Sequence, residues 1–357
     1  MVLSSPPAHE PIALWVVPVP DLGGVARHVL DAAAVGIPGW RMVTLCPSGA
    51  LAQRLGAQGA AVLTPPFGPA VGLRSSASAL RRVIDRLRPA VVHSHLAFAD
   101  FAAAVGTVGQ PVRLVSSEHG IAADDLVYHG NPVRSRVMAV AHQARIARFD
   151  ALIAVAQATA DAMHAKWGRR LAISVVLNGI DPPVRPVRAP GLRIASVSRL
   201  APEKRIDRLL DAFALLRTAH PKASLTIAGS GPLDAELRAQ SARLGPAGIH
   251  FAGFVDGAEL LAESDVLAQL SHWENCSYTL LDALSAGVGV VATGVGGNPE
   301  ILPPRCLVDA DDTAAVAAAL EVQGLHLDAR PRLRAGWPSR SDMTAAIADV
   351  YRGLRHG

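Results

Sequence analysis

Short apolar runs rich in β-branched residues alternate with longer helical patterns from one end of the chain to the other. Apolar runs that are continuous, not alternating, read as strands buried on both faces, the signature of a parallel sheet covered by helices. In the first half the strand candidates are IALWVVPV, RMVTLCP, AAVLTPP, AVVHSH, RLVSSEH, ALIAVAQ and SVVLNGI. The helical patterns between them include VARHVLDAAAV and NPVRSRVMAVAHQARIARF. The segment DPPVRPVRAPG, residues 181–191, carries four prolines and reads as a linker. After it the alternation restarts with LRIASVSRL, ASLTIAGSG, IHFAGFV, DVLAQLS, GVVATGV and RCLVDADD, separated by helices such as RIDRLLDAFALLRTAH and PLDAELRAQSARLG. The last pattern, MTAAIADVYRGLR, is helical with no strand behind it.

The pattern predicts an α/β protein of two Rossmann-like, doubly wound domains, residues 1–185 and 186–340, facing a central cleft. A terminal helix at 341–357 is expected to cross back to the first domain. A length of 357 residues suits two cores better than one. In open α/β sheets ligands sit outside the carboxyl ends of the strands, so motifs that fall just after a strand gain weight.

Half the residues are apolar and 18% are charged, the balance of a globular protein. Cys46, Cys276 and Cys306 are odd in number and widely spaced, so neither a disulfide framework nor a zinc site is expected. A reducing cytoplasm fits that usage. IALWVVPVP follows an acidic Glu10 and holds two prolines, which makes it a poor signal peptide and a better first strand. No run reaches the roughly 18 apolar residues of a membrane span.

Charge is unevenly shared. Up to Pro186 there are 17 lysines and arginines against 11 acids, and beyond it 17 against 19. RSSASALRRVIDRLRP, residues 74–89, holds five arginines against one acid on a predicted helix. Such a face suits a solvated surface, and it also allows peripheral contact with an anionic membrane at its inner face. Nucleic acid is not expected as a partner, because no stacking aromatics accompany the arginines.

The candidate chemistry clusters at strand ends. In HWENCSYTLLDALSAG, residues 272–287, a strand ends near Ser271 and a helix begins around Cys276 or Ser277. The first-turn N–H groups of Ser277, Tyr278 and Thr279, with the positive end of the helix dipole, make a phosphate seat. Glu274 stands before that seat and Asp282 one turn beyond it. Carboxylates beside a diphosphate are repelled, so their useful partners are hydroxyls, and a nucleoside diphosphate sugar has that layout. SVSRLAPEK, residues 196–204, places Arg199 and Lys204 on the loop after another strand, where they can converge on the same phosphates.

Other stretches carry less. DLGGVARHVLD follows the first strand with Gly23 and Gly24, which let a ligand approach the backbone, but it lacks the Gly-x-Gly-x-x-Gly spacing of a nicotinamide site. GSGPLD reads as a tight strand-to-helix turn. SSEHG places Glu118 and His119 at a strand end pointing at the cleft, where His119 can bond a substrate hydroxyl or move a proton. His93 and His95 alternate on a strand without a third ligand nearby in sequence, so no metal is read there. DADD, residues 309–312, precedes an alanine-rich helix and reads as its N-cap, and Cys276 has no visible base.

Together DLGGVARHVLD, VVHSHLAFADFAAA, SSEHG, DALIAVAQATADAM, VLNGID, VSRLAPEKRIDRLLDAF, AGSGP and HWENCSYTLLDALSAGVGVVATGVGGNPEIL resemble family 4 of the retaining glycosyltransferases, with its GT-B fold. The resemblance runs almost the whole length. It implies a hexosyltransferase that moves a sugar from a nucleoside diphosphate donor, with UDP-linked hexose or N-acetylhexosamine foremost, to an acceptor hydroxyl in glycan, glycolipid or natural-product biosynthesis. By it Arg199 and Lys204 bind the diphosphate, Glu274 the donor sugar and Asp282 the ribose. His119 then lies near the reacting carbon, and Gly24 borders donor and acceptor. The implied chemistry is a front-face substitution that requires neither metal, cofactor nor protein nucleophile. Two positions depart from the pattern, Asp282 where glutamate is usual and Asn275 where glycine commonly follows the first glutamate. A sugar-nucleotide epimerase of the same fold, with Glu118 and His119 as its acids, and a non-catalytic nucleotide-sugar binder are the alternatives.

Overall fold

The computed structural model describes residues 10–120, 142–168, 172–181, 188–245 and 247–354. The helical pattern expected at 131–149 and the linker at 181–191 lie in large part outside the described residues. By contact the chain divides into two units, Met1–Gly179 with Pro338–Gly357, and Ile180–Trp337.

In the first unit each of the seven apolar runs becomes a strand: β1 (Ile12–Val16), β2 (Arg41–Leu45), β3 (Val62–Leu63), β4 (Val91–His95), β5 (Arg113–Glu118), β6 (Ala151–Ala154) and β7 (Ile173–Val175). They pair in parallel in the order β3-β2-β1-β4-β5-β6-β7. Between them run α1 (Gly24–Val35), α2 (Ala50–Ala57), α3 (Leu73–Leu87), α4 (Ala97–Gly106) and α5 (Gln157–Trp167). The period-two geometry of a strand divides β1 between two cores. Ala13 and Trp15 pack with residues of α1 and α2, while Leu14 and Val16 pack with residues of α3 and α4.

In the second unit the strands are β8 (Arg193–Val197), β9 (Ser224–Ala228), β10 (Ile249–Gly253), β11 (Val266–Gln269), β12 (Gly289–Thr293) and β13 (Leu307–Val308). They too are parallel, in the order β10-β9-β8-β11-β12-β13. The helices are α6 (Ile206–Ala219), α7 (Asp234–Leu244), α8 (Gly257–Glu263), α9 (Tyr278–Ser285), α10 (Asn298–Ile301) and α11 (Thr313–Leu325). Leu209, Phe213 and Leu216 of α6 and Val316 and Leu320 of α11 fill one core against β8 and β9.

The terminal helix α12 (Arg340–Gly353) belongs to the first unit. Ser339 opens it with a capping box, its Oγ accepting from the Asp342 N–H and the Asp342 carboxylate accepting from the Ser339 N–H. Met343, Ile347 and Tyr351 join the core above β1, where the Trp15 Nε1–H donates to the Tyr351 hydroxyl at 2.9 Å.

Both sheets reverse their strand order once, between β1 and β4 and between β8 and β11. A parallel sheet opens a crevice for ligand at the carboxyl side of such a reversal. The loops after β8 and β11, and those after β1, β4 and β5, are therefore where each unit's chemistry has to be sought.

Candidate functional site

In the second unit the loop after β8 runs through Arg199 into a single 3-10 turn, Pro202–Lys204, and the loop after β11 runs from Leu270 to Ser277. A backbone bond stitches the two together, the His272 N–H donating to the Glu203 carbonyl at 2.8 Å. That bond brings Lys204 alongside Glu274. The Glu274 Oε1 accepts from the Lys204 ammonium at 2.5 Å and from the Ser271 hydroxyl at 2.7 Å. The Lys204 nitrogen also stands 5.9 Å from the centre of the Trp273 ring. Both charged side chains are mostly shielded, at 19% and 12% exposure, whereas Arg199 pairs with Glu203 and remains 64% exposed.

α9 starts immediately beyond. Ser277 is its N-cap, and the Ser277 Oγ accepts from the Leu280 N–H at 3.4 Å and from Gln269 Nε2 at 3.0 Å. The backbone of Ser277, Tyr278 and Thr279 thus lies at the positive end of the helix dipole, next to the Glu274–Lys204 pair. Asp282 is half-buried, one turn further along α9. The structure brings Lys204, Glu274 and the α9 start together, with Arg199 at the rim of the same loop. Ser271, whose hydroxyl fixes the Glu274 carboxylate, was not singled out by motif reading, since a serine at a strand end carries no signal of its own.

The glycine turn after β12 sits directly on this loop. Gly296 has φ +51°, and a Cβ there would lie 1.7 Å from the Glu274 carbonyl oxygen. The Gly297 N–H donates to that oxygen at 3.3 Å. Gly296→Ala is therefore expected to displace the Glu274 loop and to cost about 2–4 kcal/mol, from left-handed strain plus the clash. Urea unfolding of the variant checks this, and an unchanged midpoint would contradict it. Gly229 of the GSGP stretch, at φ +130°, presses in the same way against the Ser198 carbonyl, with 1.9 Å left for a Cβ, so that stretch is a tight turn supporting the β8 loop.

The acids of DADD are engaged within the unit. Asp312 caps α11, its carboxylate accepting from the Ala315 N–H at 2.9 Å, and Asp311 pairs with Arg205 and Arg208. Cys276 is buried. Phe254, just past β10, is 72% exposed and offers an apolar face at the carboxyl end of the sheet, the end at which such sheets take ligands. Within the run IHFAGFV nothing marks it as exposed.

In the first unit, Gly23 caps α1 and Gly24 opens it. A Cβ on either would meet nothing within 4 Å, so the fold itself does not demand glycine there. Glu118 and His119 part company, as successive residues of a strand do. Contrary to the expectation that both point outward, Glu118 is 5% exposed and bound at 3.3 Å by Arg145, which also holds Asp100 at 2.6 Å. Burial pushes the Glu118 carboxyl up to about 7 and that of Asp100 to about 6, with Arg145 acting in the opposite sense. Its burial and its pairing with Arg145 argue against Glu118 as one of the two acids of the epimerase reading.

His119 turns instead to His95, its Nε2 2.9 Å from the His95 Nδ1. His28, from α1, completes the group, since His28, His95 and His119 each bring a ring nitrogen within 4.8 Å of the other two. The sequence pair His93 and His95 separates. His93 bonds the Tyr351 hydroxyl at 2.5 Å and the Ser117 hydroxyl at 2.8 Å, while His95 faces the other two histidines. The third histidine was missed because its proximity comes from the neighbouring places of β1 and β4, not from spacing.

Burial lowers the pKa of His28 to about 4 and takes His93, His95 and His119 well below their usual range. Because the folded pKa of His28 is below the unfolded value of about 6.5, its contribution to stability is present above that pH and is lost as pH falls toward 4. The raised carboxyls of Asp100 and Glu118 slope the other way, so comparison with a variant isolates the histidine. His28→Asn is expected to remove roughly 3 kcal/mol of pH dependence between pH 6.5 and 4. Parallel urea stability curves for the two proteins would contradict this.

Comparison with known proteins follows the same division of the chain. Residues 22–183 match the model of Glycosyltransferase Family 4, and residues 191–322 match that of Glycosyl transferases group 1. Glycogen synthase of Mycobacterium tuberculosis is 29% identical over 298 residues, covering 76% of this chain and 70% of that one. N-acetyl-alpha-D-glucosaminyl L-malate synthase of Bacillus anthracis is 26% identical over 299 residues, covering 76% and 74%. Among solved structures, Anabaena HepE in complex with UDP-glucose superposes with a TM-score of 0.78 at 19% identity, covering 96% of this chain and 95% of that one. With parallel seven- and six-stranded sheets, and with both family models matched in order along it, the chain belongs to glycosyltransferase family 4, the glycosyl transferases of group 1, and is a glycosyltransferase of GT-B type.

Proposed function

We propose that this glycosyltransferase moves a hexose or N-acetylhexosamine from a nucleoside diphosphate sugar, UDP-linked in the first instance, to an acceptor hydroxyl with retention at the anomeric carbon. The observation that carries this reading is the Lys204–Glu274 pair set against the N-terminus of α9. A cation, a carboxylate and a row of backbone N–H groups in one place serve a ligand that offers phosphate beside hydroxyl. Lys204 and Glu274 satisfy each other. With donor bound, a phosphate oxygen takes the lysine and a sugar hydroxyl takes the carboxylate, and Asp282 holds the ribose.

The chemistry asked of these groups is charge stabilisation. As the bond from the anomeric carbon to the diphosphate oxygen breaks, negative charge grows on the leaving group, where Lys204, Arg199 and the α9 dipole meet it. The incoming hydroxyl attacks from the same face, and its proton passes to the departing phosphate oxygen. Neither a metal ion nor a protein nucleophile is needed in this scheme. The HepE complex with UDP-glucose and the glycosyl-transferring relatives support a nucleotide-sugar donor. In the first unit, the family resemblance gives His119 and Gly24 to substrate contact.

Chelator-treated protein is to be incubated with UDP-, GDP- and ADP-linked hexoses, with free nucleoside diphosphate as the readout. Turnover with at least one donor is expected, and failure with all of them contradicts the proposal. A second expectation concerns Gly24. Because a Cβ there meets only open space, Gly24→Ala should leave the melting midpoint unchanged or slightly raised while increasing KM several-fold. An unchanged KM would contradict the role given to that glycine. The exposed arginines of α3, among them Arg81 and Arg82, support peripheral contact with an anionic membrane on the cytoplasmic side. Among the described residues no helix is long and apolar enough to cross one.

A further inference from the structure

Glycosyl transfer asks for one histidine near the sugar, yet the first unit assembles three. They come from α1, from the end of β4 and from just beyond β5. The ring centres of His28 and His119 are 4.9 Å apart, those of His95 and His119 5.2 Å, and those of His28 and His95 5.7 Å. The Nε2 of His28 is buried without a hydrogen-bond partner among the described residues. A buried polar atom left unpaired in a native structure calls for an explanation, and an absent ion is one.

We propose that His28, His95 and His119 form a binding site for one divalent transition-metal ion that prefers imidazole, with Zn2+ as the reference ion. An all-nitrogen ligand set selects ions of that kind over magnesium and calcium, which take oxygen. Around a tetrahedral ion with bonds of about 2.0–2.1 Å the ligand nitrogens lie roughly 3.4 Å apart, so the widest pair of this trio has about 1.4 Å to close. The His95 Nδ1 and the His119 Nε2 stand 2.9 Å apart, joined by a hydrogen bond whose proton the ion displaces, and they need part by only about 0.5 Å to ligate it. The Asn178 Oδ1 at 3.1 Å from the His28 Nδ1 orients that ring and leaves its Nε2 as the ligand atom. The histidines are held neutral by burial, the form that ligates. His93 takes no part, both of its nitrogens being bonded to hydroxyls. Three protein ligands leave a fourth position for water.

The site has a consequence that rests on the proposed function. An ion on His119 withdraws that ring from the substrate, so occupancy slows transfer in an enzyme that itself needs no metal.

Untagged, chelator-stripped full chain is titrated with Co2+ and Zn2+, and the zinc form is studied by X-ray absorption. Expected are one equivalent bound, a ligand-field band of tetrahedral intensity with Co2+, and a first shell containing three imidazoles. His28→Gln and His95→Gln should each weaken binding by about 100-fold, with His326→Gln unchanged. The absorption spectrum is taken on unmutated protein, so the question stays answerable if a variant does not fold. No stoichiometric binding, or a first shell with fewer than three imidazoles, overturns the site and leaves a packed stack of rings on Trp15. Transfer should fall with the same midpoint as binding and return on chelation. Binding without inhibition upholds the site and overturns the part given to His119 in transfer.

Discussion

Glu274→Ala is expected to lower kcat/KM for sugar transfer by about 100- to 1000-fold, the effect of removing a charge-assisted bond to a substrate hydroxyl that is strengthened in the transition state. The geometry shows how the carboxylate is held for that bond. One carboxylate oxygen accepts from both Lys204 and Ser271, so the side chain is held in place before any ligand arrives. Truncation also frees Lys204, which keeps its charge for the diphosphate. Affinity for UDP alone should therefore change by only a few-fold while turnover collapses. Glu274→Gln keeps the volume but gives up the charge, and should lie between the two. Steady-state kinetics beside UDP titration separates these effects. Near-normal turnover in the alanine variant would remove the glutamate from sugar binding and favour a non-catalytic binder.

The largest effect on stability is expected in the first unit, at Arg145. This guanidinium is 2% exposed, holds Asp100 at 2.6 Å and Glu118 at 3.3 Å, and lies 5.5 Å from the Phe101 ring and 5.4 Å from that of Trp167. The hydroxyls of Ser94 and Ser116 donate to Asp100 from the strand side. Removing this cation leaves two buried carboxyls with no other countercharge among the described residues, a loss of roughly 3–5 kcal/mol. The pH dependence gives the mechanism away. Both carboxyls already have raised folded pKa values, so their stabilising share is present at low pH and is lost as pH rises through about 6 for Asp100 and about 7 for Glu118. Arg145→Met should accordingly be most destabilised at pH 8 and recover toward pH 5. Urea unfolding at several pH values reads this directly, and a loss that does not vary with pH would mean that the arginine serves only as packing.

Much of the fold was legible because burial on both faces writes a parallel strand as an unbroken apolar run. IALWVVPV and DVLAQLS needed no tertiary information to be read. The donor loop was legible for a related reason, since a phosphate seat needs a strand end followed by a helix start, and both leave local marks in HWENCSYTLLDALSAG. Ser277 as the cap of α9 and Asp312 as the cap of α11 are of that local kind. What could not be read is set by side-chain direction and by strand neighbours. Glu118 and His119 look alike in SSEHG, and only the alternation along β5 sends one to Arg145 and the other to His95. Arg145 itself lies in no motif, and its partner Asp100 sits on α4 as an acid in an alanine-rich helix. The meeting of His28, His95 and His119 follows from the adjacency of β1, β4 and β5, which no spacing in the chain announces.

The most direct test of the account is to follow the turnover of UDP-glucose by chelator-treated protein with proton NMR, reading UDP release and the anomeric configuration of the first-formed sugar product together, with water or a simple alcohol as acceptor. UDP is expected to appear together with a product in the α configuration of the donor, and Glu274→Ala is expected to abolish both signals. A first-formed β product would contradict retention. The absence of turnover with UDP-, GDP- and ADP-linked hexoses, together with no thermal shift by UDP, GDP or ADP, would contradict the donor site at Lys204, Glu274 and α9.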